Sequence, residues 1–199
     1  MIIGITGGTG CGKTTALEAI RELGGTVVDC DAVYHRLLQT DQALLHAIDA
    51  RFPGTVTGGV LQRKKLGSIV FSDEAALADL NAITHAAILL EVRRLLEGIS
   101  GLAAIDAIAL IESGLAALCD VTVAVTAPEE VRIARLMARD GISQEYAAAR
   151  IAAQKSQAWF SGRCDYTLVN DSTQADFHKK CLAFFRETVI METSKGKGE

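Results

Sequence analysis

Short, continuously apolar segments that alternate with helical stretches predict an α/β fold, with a five-stranded parallel sheet flanked by helices. A second observation is more specific. The first apolar segment runs directly into Gly7-Gly8-Thr9-Gly10-Cys11-Gly12-Lys13-Thr14, which satisfies the pattern G-x-x-x-x-G-K-[ST], with Gly7, Gly12, Lys13 and Thr14 at its fixed positions. Met1 to Thr6 has the length of a strand and Thr15 to Leu23 reads as a helix, the context this motif requires. Together they predict a P-loop NTPase fold.

The elements follow in order. Gly24-Gly25 stops the first helix, and Thr26-Val27-Val28 forms the second strand. A third strand is expected over Leu102 to Ile111, where apolar residues run nearly unbroken, a fourth over Val121 to Val125 and a fifth over Tyr166 to Val169. Thr126 and Glu129, with Pro128 between them, predict a capping box for a helix reaching about Ala138. Phe177, Cys181, Phe184, Phe185 and Thr188 mark the buried face of a last helix. The chain reads as a single kinase-type domain over 1–193, with a core of 1–40, 101–138 and 164–193. A helical acceptor-binding insert spans about 41–100, broken by loop signals at Pro53-Gly54 and Gly58-Gly59. An arginine-bearing lid spans about 139–163, and the tail 194–199 is expected to be disordered. Inserts of this kind enclose the reacting groups and exclude water, so that a phosphoryl group reaches a chosen hydroxyl.

Composition narrows the function classes. A net charge of −4 argues against a general nucleic-acid binder, so any anion site is a local arrangement. No uncharged apolar run reaches the ~18 residues of a membrane span, and the first strand leads straight into the glycine-rich turn, unlike a cleaved signal peptide. The 5 cysteines include no C-x-x-C pair and read as reduced thiols of a cytoplasmic protein. Cys11 reads as a small residue tolerated in a tight turn. No partner beyond small molecules is expected, neither nucleic acid nor membrane, and the chain is expected to be a monomer or a weak homo-oligomer.

The chemistry of the motif follows from its backbone. Glycines let successive N–H groups point inward around a polyphosphate, and the helix N-terminus adds partial positive charge. Gly8, Thr9, Gly10, Cys11, Gly12, Lys13, Thr14 and Thr15 are thus the expected ATP-binding residues. Lys13 is placed on the β- and γ-phosphates and the Thr14 hydroxyl on Mg²⁺. Asp29-Cys30-Asp31 lies where the second strand ends, at the carboxyl edge that lines the ligand crevice of an open α/β sheet. A carboxylate there can accept the proton of an attacking hydroxyl or hold a magnesium-bound water, or it can simply cap the next helix. Asp31 is the stronger candidate for chemistry. Guanidinium groups suit transferred phosphoryl charge, and Arg132, Arg135, Arg139 and Arg150 cluster around the lid. Arg139, before Asp140-Gly141, is the best placed of them.

The ordered set resembles the dephospho-CoA kinase family. Thr6 to Thr15 is similar to its P-loop, Asp29-Cys30-Asp31 to its Asp-x-Asp turn, and Arg63 with Leu66, Ile69, Phe71 and Leu80 to His85 to its substrate-side helices. Glu112-Ser113-Gly114, Arg135, Arg139-Asp140-Gly141, Arg150 to Gln154 and Asp165 to Asn170 complete a likeness that runs from Met1 to about Glu187. It implies ATP-dependent phosphorylation of the ribose 3′-hydroxyl of dephospho-CoA, giving CoA and ADP. Asp31, Lys13 and Arg139 are then catalytic, while Arg135 and Asn170 join the ATP site. Asp29, Arg63, Asn81 and His85 contact the acceptor, and Mg²⁺ is held by Thr14, with Asp31 acting through water. The chain departs from the family pattern at Ala86, where proline is usual, at Ile108-Ala109-Leu110, where Pro-Leu-Leu is usual, at Ile111, which replaces an aromatic, and at Arg132, which replaces a glutamine. They are expected to touch the acceptor side more than the ATP side. A kinase of the same fold acting on a nucleoside or sugar is the alternative. A GTP-specific switch is disfavoured, because no Asn-Lys-x-Asp tetrapeptide occurs.

Overall fold

The structure, a computed structural model, describes residues 1–195, with side chains through Thr188. Seven strands and nine α-helices are described in chain order: β1 (Ile2–Thr6), α1 (Lys13–Glu22), β2 (Thr26–Asp29), α2 (Cys30–Thr40), α3 (Gln42–Arg51), β3 (Val56–Thr57), β4 (Val60–Leu61), α4 (Arg63–Val70), α5 (Glu74–Glu97), β5 (Ala103–Asp106), β6 (Val121–Thr126), α6 (Glu129–Asp140), α7 (Gln144–Ala152), α8 (Gln157–Ser161), β7 (Tyr166–Val169) and α9 (Gln174–Lys195). Five strands form one sheet in the order β2-β5-β1-β6-β7, with every pairing parallel. All five expected strands are present. β1 lies between β5 and β6, so the loop leaving its carboxyl end sits centrally on the crevice edge.

The predicted stop after α1 has a specific form. The Gly25 N–H bonds the Ile20 carbonyl at 2.9 Å and the Gly24 N–H that of Arg21 at 2.9 Å. Gly24 takes φ +80, the left-handed residue of a Schellman cap. On one face of the sheet, α1 and α9 bury Ala16, Ile20, Phe177, Cys181 and Phe185 against β1 and β6. Phe177 and Phe185 are fully buried, and truncating either to alanine is expected to cost about 3–5 kcal/mol. On the other face, α2 to α5 share one apolar cluster with β5 that includes Val33, Leu37, Leu66, Leu80 and Val92.

Three expectations are corrected. The third strand ends at Asp106, and the apolar run beyond it leaves the sheet as a turn in which Ala107 and Leu110 are buried while Ile108 is exposed at the cavities. The Thr126–Glu129 capping box does not form: Thr126 ends β6, the N-cap of α6 is Pro128, and no side chain caps it. Instead the Ala127 N–H is taken by Gln157 Oε1 at 2.9 Å. The tail expected to be disordered from Ser194 begins inside α9, which runs through Lys195, and 196–199 lie outside the described residues. A short β3–β4 hairpin fills the stretch that carried only turn signals. By length and composition alone α5 could cross a membrane, yet it packs against α2, α3 and α4.

Candidate active site

The P-loop is held by side chains that reach it from other elements. Asn170, just past β7 and 2% exposed, donates from Nδ2 to the Cys11 carbonyl at 2.9 Å. Its Oδ1 accepts from Arg135 Nη2 at 3.0 Å, and Arg135 Nη1 also donates to the Gly10 carbonyl at 3.3 Å. The Thr9 N–H donates to Gln154 Oε1 at 2.8 Å, and Arg132 Nε donates to the Thr9 carbonyl at 2.8 Å. Gly12 caps α1 with φ +97, and a Cβ there would come within 2.1 Å of Asn170 Nδ2, so both the turn and the clamp need glycine. Lys13 Nζ donates to the Gly7 carbonyl at 3.2 Å, which keeps the ammonium folded across the loop. Cys11 turns its thiol into the core, and burial raises the pKa of that thiol, which makes it a poor nucleophile.

Two cavities open at this edge of the sheet. The larger, of about 690 Å³, is lined by Gly8, Thr9, Gly10, Gly12, Lys13, Thr14, Asp31, Asp106, Ile108, Arg135, Arg139 and Arg150 among others. The smaller, of about 210 Å³, is walled mainly by apolar side chains of α2, α5 and the loop after β5, with Asn81, Thr84, His85 and Ser113 as polar contributors. Asp31 and Ile108 line both. Asp31 is exposed in the first turn of α2, and among the described residues no hydrogen bond is made to its carboxylate. Its neighbour has a different task. Asp29 is the N-cap of α2, with Oδ1 accepting the Ala32 N–H at 3.0 Å, and lies outside both cavities.

Asp106 is the acidic residue that the sequence reading missed. It ends β5, in register with Ile5 of β1 and Asp29 of β2, on the wall of the larger cavity. Its Oδ1 is buried with no hydrogen-bond partner. Burial raises its pKa first of all, Lys13 opposes this, and Asp29 and Asp31 add to it. A carboxylate closing an apolar strand beside the motif was the available signal, hidden by extending that strand to Ile111. A buried carboxylate oxygen without a partner suits a hard cation, so Asp106 and the Thr14 hydroxyl, which line the same cavity as Asp31, are groups that could hold one. Among the described residues no group of 3 or more His, Cys, Asp or Glu is placed to hold a metal ion.

The lid arginines are present but otherwise engaged. Arg139, the penultimate residue of α6, holds Asp140 through Nε at 2.7 Å and Nη2 at 3.0 Å, and Arg150 Nη1 binds the same carboxylate at 2.7 Å. These hydrogen bonds hold Asp140 well below the usual carboxylate range. Such exposed pairs are weak and exchangeable, so a polyphosphate can take over both guanidinium groups. Asn170 was expected at the nucleotide edge, but its buried amide is spent on Cys11 and Arg135. Thr15 is buried in α1 and lines neither cavity. Arg63 opens α4 beside Tyr34, in a groove that adjoins the smaller cavity through Tyr34 and Leu80. Arg132, expected to affect the acceptor side, lies under the P-loop on the donor side.

A family model described as dephospho-CoA kinase (CoaE) matches residues 1–176. The chain belongs to the dephospho-CoA kinase family. Family members of known sequence match it nearly end to end: the dephospho-CoA kinase of Geobacillus kaustophilus is 34% identical over 96% of this chain and 98% of its own length. A crystal structure of a protein from Thermus thermophilus superposes with a TM-score of 0.77 at 33% identity, covering 94% of this chain and 97% of that one. The dephospho-CoA kinase of Campylobacter jejuni, at 28% identity, superposes with a TM-score of 0.66 over 98% of both chains. In this chain the P-loop, Asp31, Arg135, Arg139 and Arg150 line one crevice.

Proposed function

We propose that this chain transfers the γ-phosphoryl group of ATP to the ribose 3′-hydroxyl of dephospho-CoA, giving CoA and ADP, the last step of CoA synthesis. One observation supports this reading most strongly: Asp31 stands on the shared wall of the P-loop cavity and the apolar cavity. A hydroxyl presented from the second cavity meets a free carboxylate and the phosphate site together. Asp31 accepts the hydroxyl proton as the oxygen attacks phosphorus and ADP departs with the bridging electrons. The P-loop amides from Gly8 to Gly12, other than those of Thr9 and Cys11, which already donate to Gln154 and to the Gly8 carbonyl, hold the negative charge together with Lys13. Arg139 and Arg150 leave Asp140 for the transferred group, while Arg135 keeps the loop in shape. Asn81 and His85 contact the acceptor within its cavity, and Arg63 does so from the adjoining groove. Burial lowers the pKa of His85 and Glu112 opposes this, so the ring is a neutral hydrogen-bonding group at pH 7. Mg²⁺, held by Thr14 and Asp106, neutralises phosphate charge when bound. ATP and dephospho-CoA are the partners, with no nucleic acid or membrane. The site of action is the cytoplasm and the protein is a monomer or weak homo-oligomer.

The test is coupled ADP formation with Mg-ATP alone, with dephospho-CoA, and with a panel of nucleosides and sugars. Turnover that depends on dephospho-CoA and is absent with the panel is the expected result. ATP binding with no stimulation by dephospho-CoA would reject the acceptor assignment.

A further inference from the structure

Arg132 is the one arginine among the buried polar and charged side chains of the described residues, at 3% exposure, and it lies directly beneath the P-loop. Its guanidinium holds the Thr9 carbonyl through Nε at 2.8 Å and reaches Gln154 Oε1 from Nη2 at 3.4 Å. The same Gln154 oxygen accepts the Thr9 N–H at 2.8 Å, so one arginine–glutamine pair fixes both polar groups of that residue. The loop is shaped around this side chain. A Cβ on Gly8 would meet Arg132 Nη2 at 2.4 Å, and one on Gly10 would meet the Arg132 carbonyl oxygen at 3.0 Å. Gly8 does not take a positive φ, so its lack of a side chain answers to the space Arg132 occupies, not to backbone conformation.

The charge is the unusual part. No carboxylate lies within salt-bridge distance of Arg132 among the described residues. Burying a guanidinium without a counter-charge is unfavourable unless something in the functional state supplies one. Burial accordingly lowers its pKa, with the Cys11 thiol and Glu129 opposing, although a guanidinium stays protonated at any working pH. A polyphosphate received by the loop, whose Thr9 backbone Arg132 holds, is a counter-charge of the right sign.

We propose that Arg132 is a positioning residue of the phosphate site that acts through the Thr9 peptide groups, holding the loop open and adding a fixed positive charge behind it. This rests on reading the loop as a nucleoside triphosphate site. It predicts that Arg132 strengthens ATP binding more than AMP binding, and that a lysine, which keeps the charge, retains most of this effect while glutamine, which keeps only hydrogen bonding, does not.

The test compares the parent chain with Arg132→Gln and Arg132→Lys by calorimetric titration with ATP and with AMP, alongside melting temperature and steady-state kinetics. Arg132→Gln is expected to weaken ATP about tenfold, the equivalent of about 1.4 kcal/mol, and AMP by less than about threefold. KM for ATP rises more than kcat falls, and Arg132→Lys recovers most of the ATP affinity. A folded Arg132→Gln that binds ATP within about twofold of the parent, or that loses ATP and AMP affinity equally, would overturn the proposal. If Arg132→Gln does not fold, Arg132→Lys decides: ATP affinity within about threefold of the parent supports a role for charge, and a tenfold loss rejects it. A parent chain that binds no ATP would instead defeat the underlying reading of the loop.

Discussion

On the donor side, Arg132, Gln154, Arg135 and Asn170 come from three separate stretches of chain, and each hydrogen-bonds a backbone group of the P-loop. On the acceptor side, Asn81, Thr84 and His85 project from one helix into a cavity whose other walls are largely apolar, and the Thr84 hydroxyl is already spent on the Leu80 carbonyl at 2.9 Å. Phosphates are recognised by backbone amides, whose directions no side-chain rotamer can correct, so the loop must be pre-shaped. An acceptor recognised by cavity shape and a few polar groups needs less scaffolding and tolerates more substitution. The arginines repeat the contrast at closer range: Arg135 is committed to the loop, while Arg139 and Arg150 rest on an exposed aspartate and are free to exchange it for phosphate.

Substitutions can break this contrast at different depths. On the donor side the largest effect is expected for Lys13→Ala. Loss of its ammonium from the phosphates should lower kcat by about 10³-fold, a size typical of removing a preorganised electrostatic group. The melting temperature should hold, since the lysine's one bond in the structure is to the Gly7 carbonyl. Asp106→Asn comes next and should separate stability from function. Neutralising this half-buried carboxylate, whose buried Oδ1 has no partner, should raise the melting temperature by about 2–4 °C, while turnover falls about 100-fold through weakened metal binding. Magnesium titration and a thermal melt on one sample read both, and a lower melting temperature would show that the carboxylate is structurally satisfied. Arg139→Ala should reduce kcat about tenfold with an unchanged melting temperature. Arg135→Ala should lower both, because it releases Gly10 and Asn170 together. The smallest effect belongs to the acceptor side, where His85→Ala should raise KM for dephospho-CoA about threefold, the size of one neutral hydrogen bond. KM for ATP should stay put. If that substitution raised both KM values alike, the separation into two half-sites would be wrong.

Much of the architecture was legible because the signals were local. The P-loop pattern lay between a strand and a helix, the Gly24-Gly25 stop resolved into a Schellman cap, and the stripe of Phe177, Cys181 and Phe185 faces the core as its spacing predicts. What escaped was set by tertiary contact. Asp106 looked like one polar residue inside an apolar run, because the turn after it is apolar, with Ala107 and Leu110 packed into the core for reasons unrelated to strand pairing. The capping box at Thr126 failed because Thr126 is still paired in β6, and the helix starts later with Pro128 at its N-cap. Asn170 and Arg132 carried the right chemistry for phosphate recognition, but only the fold shows that both reach the loop's backbone from behind. The separate tasks of Asp29 and Asp31 were likewise undecided until the first turn of α2 gave the cap to Asp29.

The central claim is that Asp31, at the junction of the two cavities, takes the proton of the acceptor hydroxyl. Asp31→Asn with saturating Mg-ATP and dephospho-CoA tests it most directly. The account predicts a fall in kcat of about 10²–10⁴-fold, with the melting temperature and both substrate affinities unchanged, because the carboxylate is exposed and unbonded in the structure. Turnover near that of the parent chain, or a loss confined to substrate affinity, would contradict it.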